Sequence, residues 1–157
     1  SRRRLVVPPF LILATNAEYR QHFEATYCRG VITTHDGIRV YFKKEDFDHA
    51  FFESTLRDGN KDMTISAARA QRMNWIAATL VNPTAMRFQG WDKNKRCYDP
   101  TRCVSVVFGD FVVVIRLSKK ADQTLKANFV TCYDANNSIG KIRQSPLWRK
   151  EDCLNSL

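Results

Sequence analysis

The sequence predicts an α+β fold: an N-terminal hairpin and helices on one face of an antiparallel sheet, with a short helix at the C-terminus. Three observations carry that prediction. Helical patterns precede Pro83, β-rich runs follow it, and a short helical pattern comes last. Helices segregated in sequence from a run of hairpin-linked strands pack together on one side of the sheet. At 157 residues and 44% apolar composition the chain has the mass and hydrophobicity for one real core.

The elements follow in order. "SRRRLVVPPFLILATNAEYRQHF" has the basic start and apolar run of a secretory signal, but Pro8–Pro9 breaks the run and no small-x-small cleavage site follows. It is too short to span a bilayer. Residues 1–30 are read as an N-terminal arm, extended or strand-like, packing on a single domain over 31–157. The initial Ser suggests a domain cut from a longer polypeptide. "VITTHDGIRVYF" (31–42) is a hairpin turning at Asp36–Gly37. "KKEDFDHAFFES" (43–54) is a short helix, with Phe47, Ala50, Phe51 and Ser54 on one face and His49 roughly opposite Phe47. Residues 56–63 are a loop. Thr64 is placed to cap a long helix over 65–82 that Asn82–Pro83 ends.

Beyond Pro83, "VVFGDFVVV" is a hairpin with Gly109–Asp110 at its tip. With Phe108 opposite Phe111, one sheet face carries Val104, Val106, Phe108, Phe111, Val113, Ile115 and Leu117. That wholly apolar face is expected against the helices. The other is mixed: Cys103, Ser105, Val107, Val112, Val114 and Arg116. The last strand, in "KANFVTCYDANNSIGKIRQSPLW" (126–148), ends in Thr131 and Tyr133, which share a face two residues apart. Which face that is stays open. A short helix bearing Lys141 and Arg143 follows, and its N-terminal amides could hold phosphate.

The charge points to a partner class. Twenty-five Lys and Arg against sixteen Asp and Glu leave +9, which favours polyanions, nucleic acid first. Cys28, Cys97, Cys103, Cys132 and Cys153 include no C-x-x-C pair, and His22, His35 and His49 form no metal-ligand pattern. Reduced thiols in a cytosolic setting fit best, with a Cys97–Cys103 disulfide the open alternative. No cofactor or metal is expected. Motifs for a P-loop, a dinucleotide fold, a G-x-S-x-G hydrolase or a zinc deaminase are absent.

Arg72 falls on the apolar stripe of the 65–82 helix with Ile65 and Ile76, and Arg69 lies nearby. A guanidinium there is either a paired structural group or one aimed at a cleft. Asp46, Asp48 and Glu53 could orient or charge the His49 imidazole. An imidazole, guanidiniums and hydroxyls form the inventory that RNA cleavage without metal requires. DNA lacks the internal nucleophile.

Three segments carry a family resemblance: "EDFDHAFFES", "RAQRMNWIAATLVNPTAMRF" and "VVVIRL…NFVTCYDANNSIGKIRQSPLW". In that order they resemble the phage-associated branch of the barnase/EndoU/colicin/RelE-like (BECR) ribonucleases. The resemblance runs from Phe47 through the last strand and leaves residues 1–30 outside. It implies helices on a four-stranded antiparallel sheet and a metal-independent endoribonuclease, often a toxin. It makes His49 the general acid/base, with Arg72, Arg116 and Thr131 completing the catalytic set. Lys43, Lys44, Arg69, Tyr133, Lys141 and Arg143 are the expected substrate contacts. The sequence departs from the family at the cationic helix position, for which Lys43 and Lys44 are candidates. Expected partners are RNA, an acidic immunity or inhibitor protein and a larger parent polypeptide, with no membrane. Action in the cytoplasm follows, after delivery from another cell or carriage with a phage particle. The alternative is a non-catalytic nucleic-acid-binding or structural interaction domain of a phage or host assembly.

Overall fold

The computed structural model describes residues 7–53 and 64–157. Ser54 and the loop expected over 56–63 lie in or overlap the segment outside the described residues. Helix α1, Asn16–Phe23, starts where the Thr15 hydroxyl accepts from the Glu18 N–H (3.1 Å) and the Glu18 carboxylate accepts from the Ala14 N–H (2.8 Å). It runs into a π-type turn, Glu24–Cys28. Residues 16–28 are therefore helical, not the extended arm expected. Tyr19, Phe23 and Tyr27, at i, i+4 and i+8, bury one stripe.

The Asp36–Gly37 turn joins β1 (Ile32–Thr33) to β2 (Arg39–Tyr41), with Gly37 at φ +86°. Helix α2, Asp46–Phe51, buries Phe47, Ala50 and Phe51 and leaves His49 exposed. The long helix expected over 65–82 is two: α3, Ala67–Gln71, and α4, Met73–Val81, parted at Arg72 (φ −97°, ψ 14°). Ser66 is the N-cap, its hydroxyl accepting from the Arg69 N–H. Just after the break, the buried Tyr27 hydroxyl donates to the Met73 carbonyl and accepts from the Ala77 N–H (3.1 Å). Those two groups would bond each other in an unbroken helix, so the tyrosine occupies the ladder of α4.

Strands β3 (Met86–Phe88), β6 (Val104–Phe108), β7 (Phe111–Lys119) and β8 (Leu125–Asp134) form an antiparallel meander. The sheet is larger than the expected four strands and is mixed. β2 adds to β8 in parallel, giving the order β1-β2-β8-β7-β6-β3. A separate two-stranded ribbon pairs β4 (Gly90–Asp92) with β5 (Cys97–Asp99). Phe108 does oppose Phe111. Val104, Val106, Phe111, Val113, Ile115 and Leu117 face the helices, as expected, while Phe108 stays half-buried. The opposite face is also covered. Phe88, Val107, Val112 and Val114 pack with Ile139 and Ile142 of α5, Ile139–Arg143. Helix α6 is Lys150–Ser156, and all five cysteines are free thiols. Among the described residues no helix is long and apolar enough to cross a membrane.

The core centres on Phe23, fully buried, with ring centroids 5.7–6.3 Å from Tyr27, Phe42, Phe47, Phe51 and Phe129. The two edges of the sheet are tied together: Arg87 of β3 bonds both carboxylate oxygens of Asp36 at 3.0 and 3.2 Å. Burial opposes the Asp36 charge, but the Thr34 hydroxyl and the Arg87 guanidinium outweigh it and hold its pKa below the ordinary range. The native pKa is the lower one, so this tie stabilises the fold above the unfolded value of about 3.9 and is lost as pH falls through the native value. Asp36→Asn should cost about 1 kcal/mol in urea unfolding at pH 7, and the difference should vanish in acid. A gap that persists at pH 2 would assign the loss to packing instead.

Candidate functional site

β2 pairs with β8 only as far as Asn128, and α2 and α3 pack against β8. The register between β7 and β8 shifts at this point. Ile115 pairs with Phe129, Val114 with Thr131, and Val130 is the extra residue. The bulge reverses the alternation of β8. Ala127 and Phe129 face the helical core before it, and Cys132 does so after it. Thr131 and Tyr133, opposite Val114 and Val112, are thereby turned to the other face.

The result is an open cleft of about 700 Å³ lined by Asp46, His49, Arg69, Arg116, Phe129, Val130, Thr131 and Tyr133. Four elements supply it: α2, α3, β7 and β8. Five of the residues expected at a site are brought together: His49, Arg69, Arg116, Thr131 and Tyr133. Arg69 is aimed by a bond from its Nη1 to the Ala50 carbonyl near the end of α2 (3.0 Å). Arg116 is exposed at the cleft wall.

Arg72 is not among the lining residues. Its Nη1 donates to the Ala68 carbonyl (2.8 Å), its Nη2 lies 3.6 Å from Asp134, and its guanidinium lies over the Phe10 and Trp75 rings (4.9 and 5.2 Å). Lys43 and Lys44 are exposed just before α2. Lys141 lines a separate hollow on the same sheet face, and Arg143 donates to the Gly109 carbonyl (2.9 Å). The other histidines are engaged elsewhere. His22 bonds Asn74 (2.7 Å), and His35 meets Arg87 (3.0 Å).

Asp46 belongs to the lining, whereas sequence reading had it only as a neighbour able to influence His49. Its spacing from His49, one helical turn, was the available signal. Asp48 instead pairs with Arg20 (2.6 Å). Burial lifts the Asp46 carboxyl above its ordinary range, partly offset by the Lys43 N–H and by the charges of Lys43 and His49. Burial also raises the Tyr133 phenol, against the pull of Arg69, so it stays protonated at neutral pH. The Cys132 thiol beneath is pushed up to about 12 by burial, with Arg69 opposing, and is not a thiolate nucleophile. Among the described residues no three His, Cys, Asp or Glu side chains gather as metal ligands. The cleft thus combines two guanidiniums, an imidazole, two hydroxyl donors and the Asp46 carboxyl, and its guanidiniums and hydroxyls suit a phosphodiester.

Comparison with family models, curated proteins and solved structures finds no match to this chain.

Proposed function

We propose that the protein is a metal-independent endoribonuclease that cleaves RNA through attack by the 2′-hydroxyl. The observation that carries this reading is the convergence of His49, Arg69, Arg116, Thr131 and Tyr133 on one cleft. In this mechanism His49 accepts the 2′-hydroxyl proton. The 2′-oxygen attacks phosphorus, the P–O5′ bond breaks, and a 2′,3′-cyclic phosphate is left. Arg69 and Arg116 stabilise the charge that builds on the phosphorane oxygens, and the Thr131 hydroxyl donates to them. The Tyr133 phenol protonates the departing 5′-oxygen and is reprotonated from solvent, to which His49 releases the proton it took. Asp46 lines the same cleft one helical turn from His49.

The test is incubation with structured and unstructured RNA in excess EDTA. Cyclic-phosphate products are expected, and a single 2′-deoxy substitution at the cleaved nucleotide should abolish cutting there. Cleavage that needs added divalent metal, or that ignores the 2′-deoxy substitution, would refute the mechanism. The net charge of +9 favours one second reading, a binding module. RNA retarded but intact would select it.

A further inference from the structure

The ribbon β4–β5 exposes two large aromatic side chains that the proposed chemistry does not use. Trp91 is 52% exposed and Tyr98 39%. They are cross-strand partners, with ring centroids 5.1 Å apart at 76°. Aromatic residues in strands usually bury their rings. Here the edge-on contact leaves much of both rings open to solvent.

The platform is held in place. A Cβ on Gly90 would stand 2.3 Å from the Arg102 carbonyl oxygen and 2.5 Å from that of Cys103, so the ribbon lies tight against that segment. The buried Asp92 carboxylate accepts from the Asn94 and Lys95 N–H groups and closes the β4–β5 turn. A stacking surface built this way needs little ordering when a ligand arrives.

The ribbon also continues the cleft. Arg116 and Val130 line both the His49 cleft and an adjoining hollow of about 260 Å³. Trp91 and Cys103 line that hollow and a third one, of about 450 Å³, which Tyr98 and Lys141 share. Lys93 and Arg102 stand along the middle stretch. Among the described residues lining the two further hollows the only carboxylate is Asp92, already committed to its turn and 3.9 Å from Arg102. A cationic groove interrupted by exposed rings matches a single nucleic-acid strand: phosphates follow the cations and a base stacks on a ring.

The geometry points to a nucleobase-stacking subsite on Trp91 and Tyr98, which holds single-stranded RNA along the sheet face away from the cleavage point. This rests on RNA occupying the His49 cleft. It makes the substrate an unpaired strand several nucleotides long, because a duplex keeps its bases stacked on each other and cannot offer one to Trp91.

The test uses 2′-O-methyl oligonucleotides, which cannot be cleaved by 2′-attack, with binding read by fluorescence anisotropy. Trp91→Ala should weaken binding of a hexanucleotide about 10- to 100-fold, and Trp91→Phe should restore much of it. An abasic residue at one position should weaken wild-type binding by a similar factor and cost Trp91→Ala nothing further. A parallel assay follows cleavage of unmodified RNA. Trp91→Ala should raise KM for a hexanucleotide and leave dinucleotide cleavage unchanged. Equal affinity of wild type and Trp91→Ala overturns the subsite, as does an abasic penalty that the variant shares in full. A duplex that binds as well as the single strand overturns it too. If binding behaves as expected but no RNA is cut, the ribonuclease reading fails and the subsite stands. If RNA is cut and Trp91→Ala binds normally, the reverse holds.

Discussion

His49→Ala is expected to lower RNA cleavage by about 10²–10⁴-fold, the range for loss of a positioned acid or base, with the melting temperature close to wild type. Two structural facts separate chemistry from stability in this variant. The side chain is exposed on α2 while Phe47, Ala50 and Phe51 of the same helix are buried, so truncation opens no core cavity. The imidazole lines the cleft with both guanidiniums. Activity per folded molecule, with a thermal melt on the same sample, decides the matter. A folded His49→Ala variant with full activity would remove the imidazole from the mechanism. His22 and His35 are poor substitutes, since Asn74 and Arg87 already hold them.

Phe23→Ala should have the largest effect on stability, about 3–5 kcal/mol, typical of a phenyl ring deleted from a core. Phe23 has no exposed surface and touches rings from the π-type turn, from α2, from β8 and from Phe42 just beyond β2. Rigid aromatic neighbours on so many elements cannot all close on the void, so the cost should sit at the upper end. A loss of that size is a large share of the stability of an ordinary domain. Urea unfolding should show a lower midpoint with an unchanged slope, and activity should fall with the folded fraction. A cost near 1 kcal/mol would mean that the cluster collapses to fill the space.

What was legible in the sequence was local. The turns at Asp36–Gly37 and Gly109–Asp110 announce themselves by residue type, and the second turn fixes the pairing of Phe108 with Phe111. From that pairing the apolar face of β6 and β7 follows by alternation. What was not legible depends on distant partners. The break between α3 and α4 lies beside the place where Tyr27 reaches into α4 from far along the chain. Arg72 was placed with the site by carrying ideal helical angles across that break. Arg69, on the near side of it, is the arginine that reaches the cleft. The parallel pairing of β2 with β8 carries no local signal. Nor does the bulge at Val130, which has no glycine to mark it and which decides the face of Thr131. Asp46 could be read as an influence on His49 but not as lining, because the cleft it shares is completed by residues of α3, β7 and β8, distant in sequence. The exposure of Trp91 and Tyr98 ran against the usual habit of strand aromatics.

The position of β8 has a consequence for biosynthesis. It lies inside the sheet and lines the cleft: β2 pairs with it from one side, β7 from the other, and Phe129, Thr131 and Tyr133 all ride on it. Synthesis proceeds from the N-terminus, so a nascent chain presents α2 and α3 long before the strand that completes the cleft. Until β8 emerges, β2 has no neighbour on its inner side, Phe23 lacks one of its rings, and His49 faces neither Thr131 nor Tyr133. Under the proposed mechanism, a nascent chain is therefore expected to cut no RNA until β8 has left the ribosome.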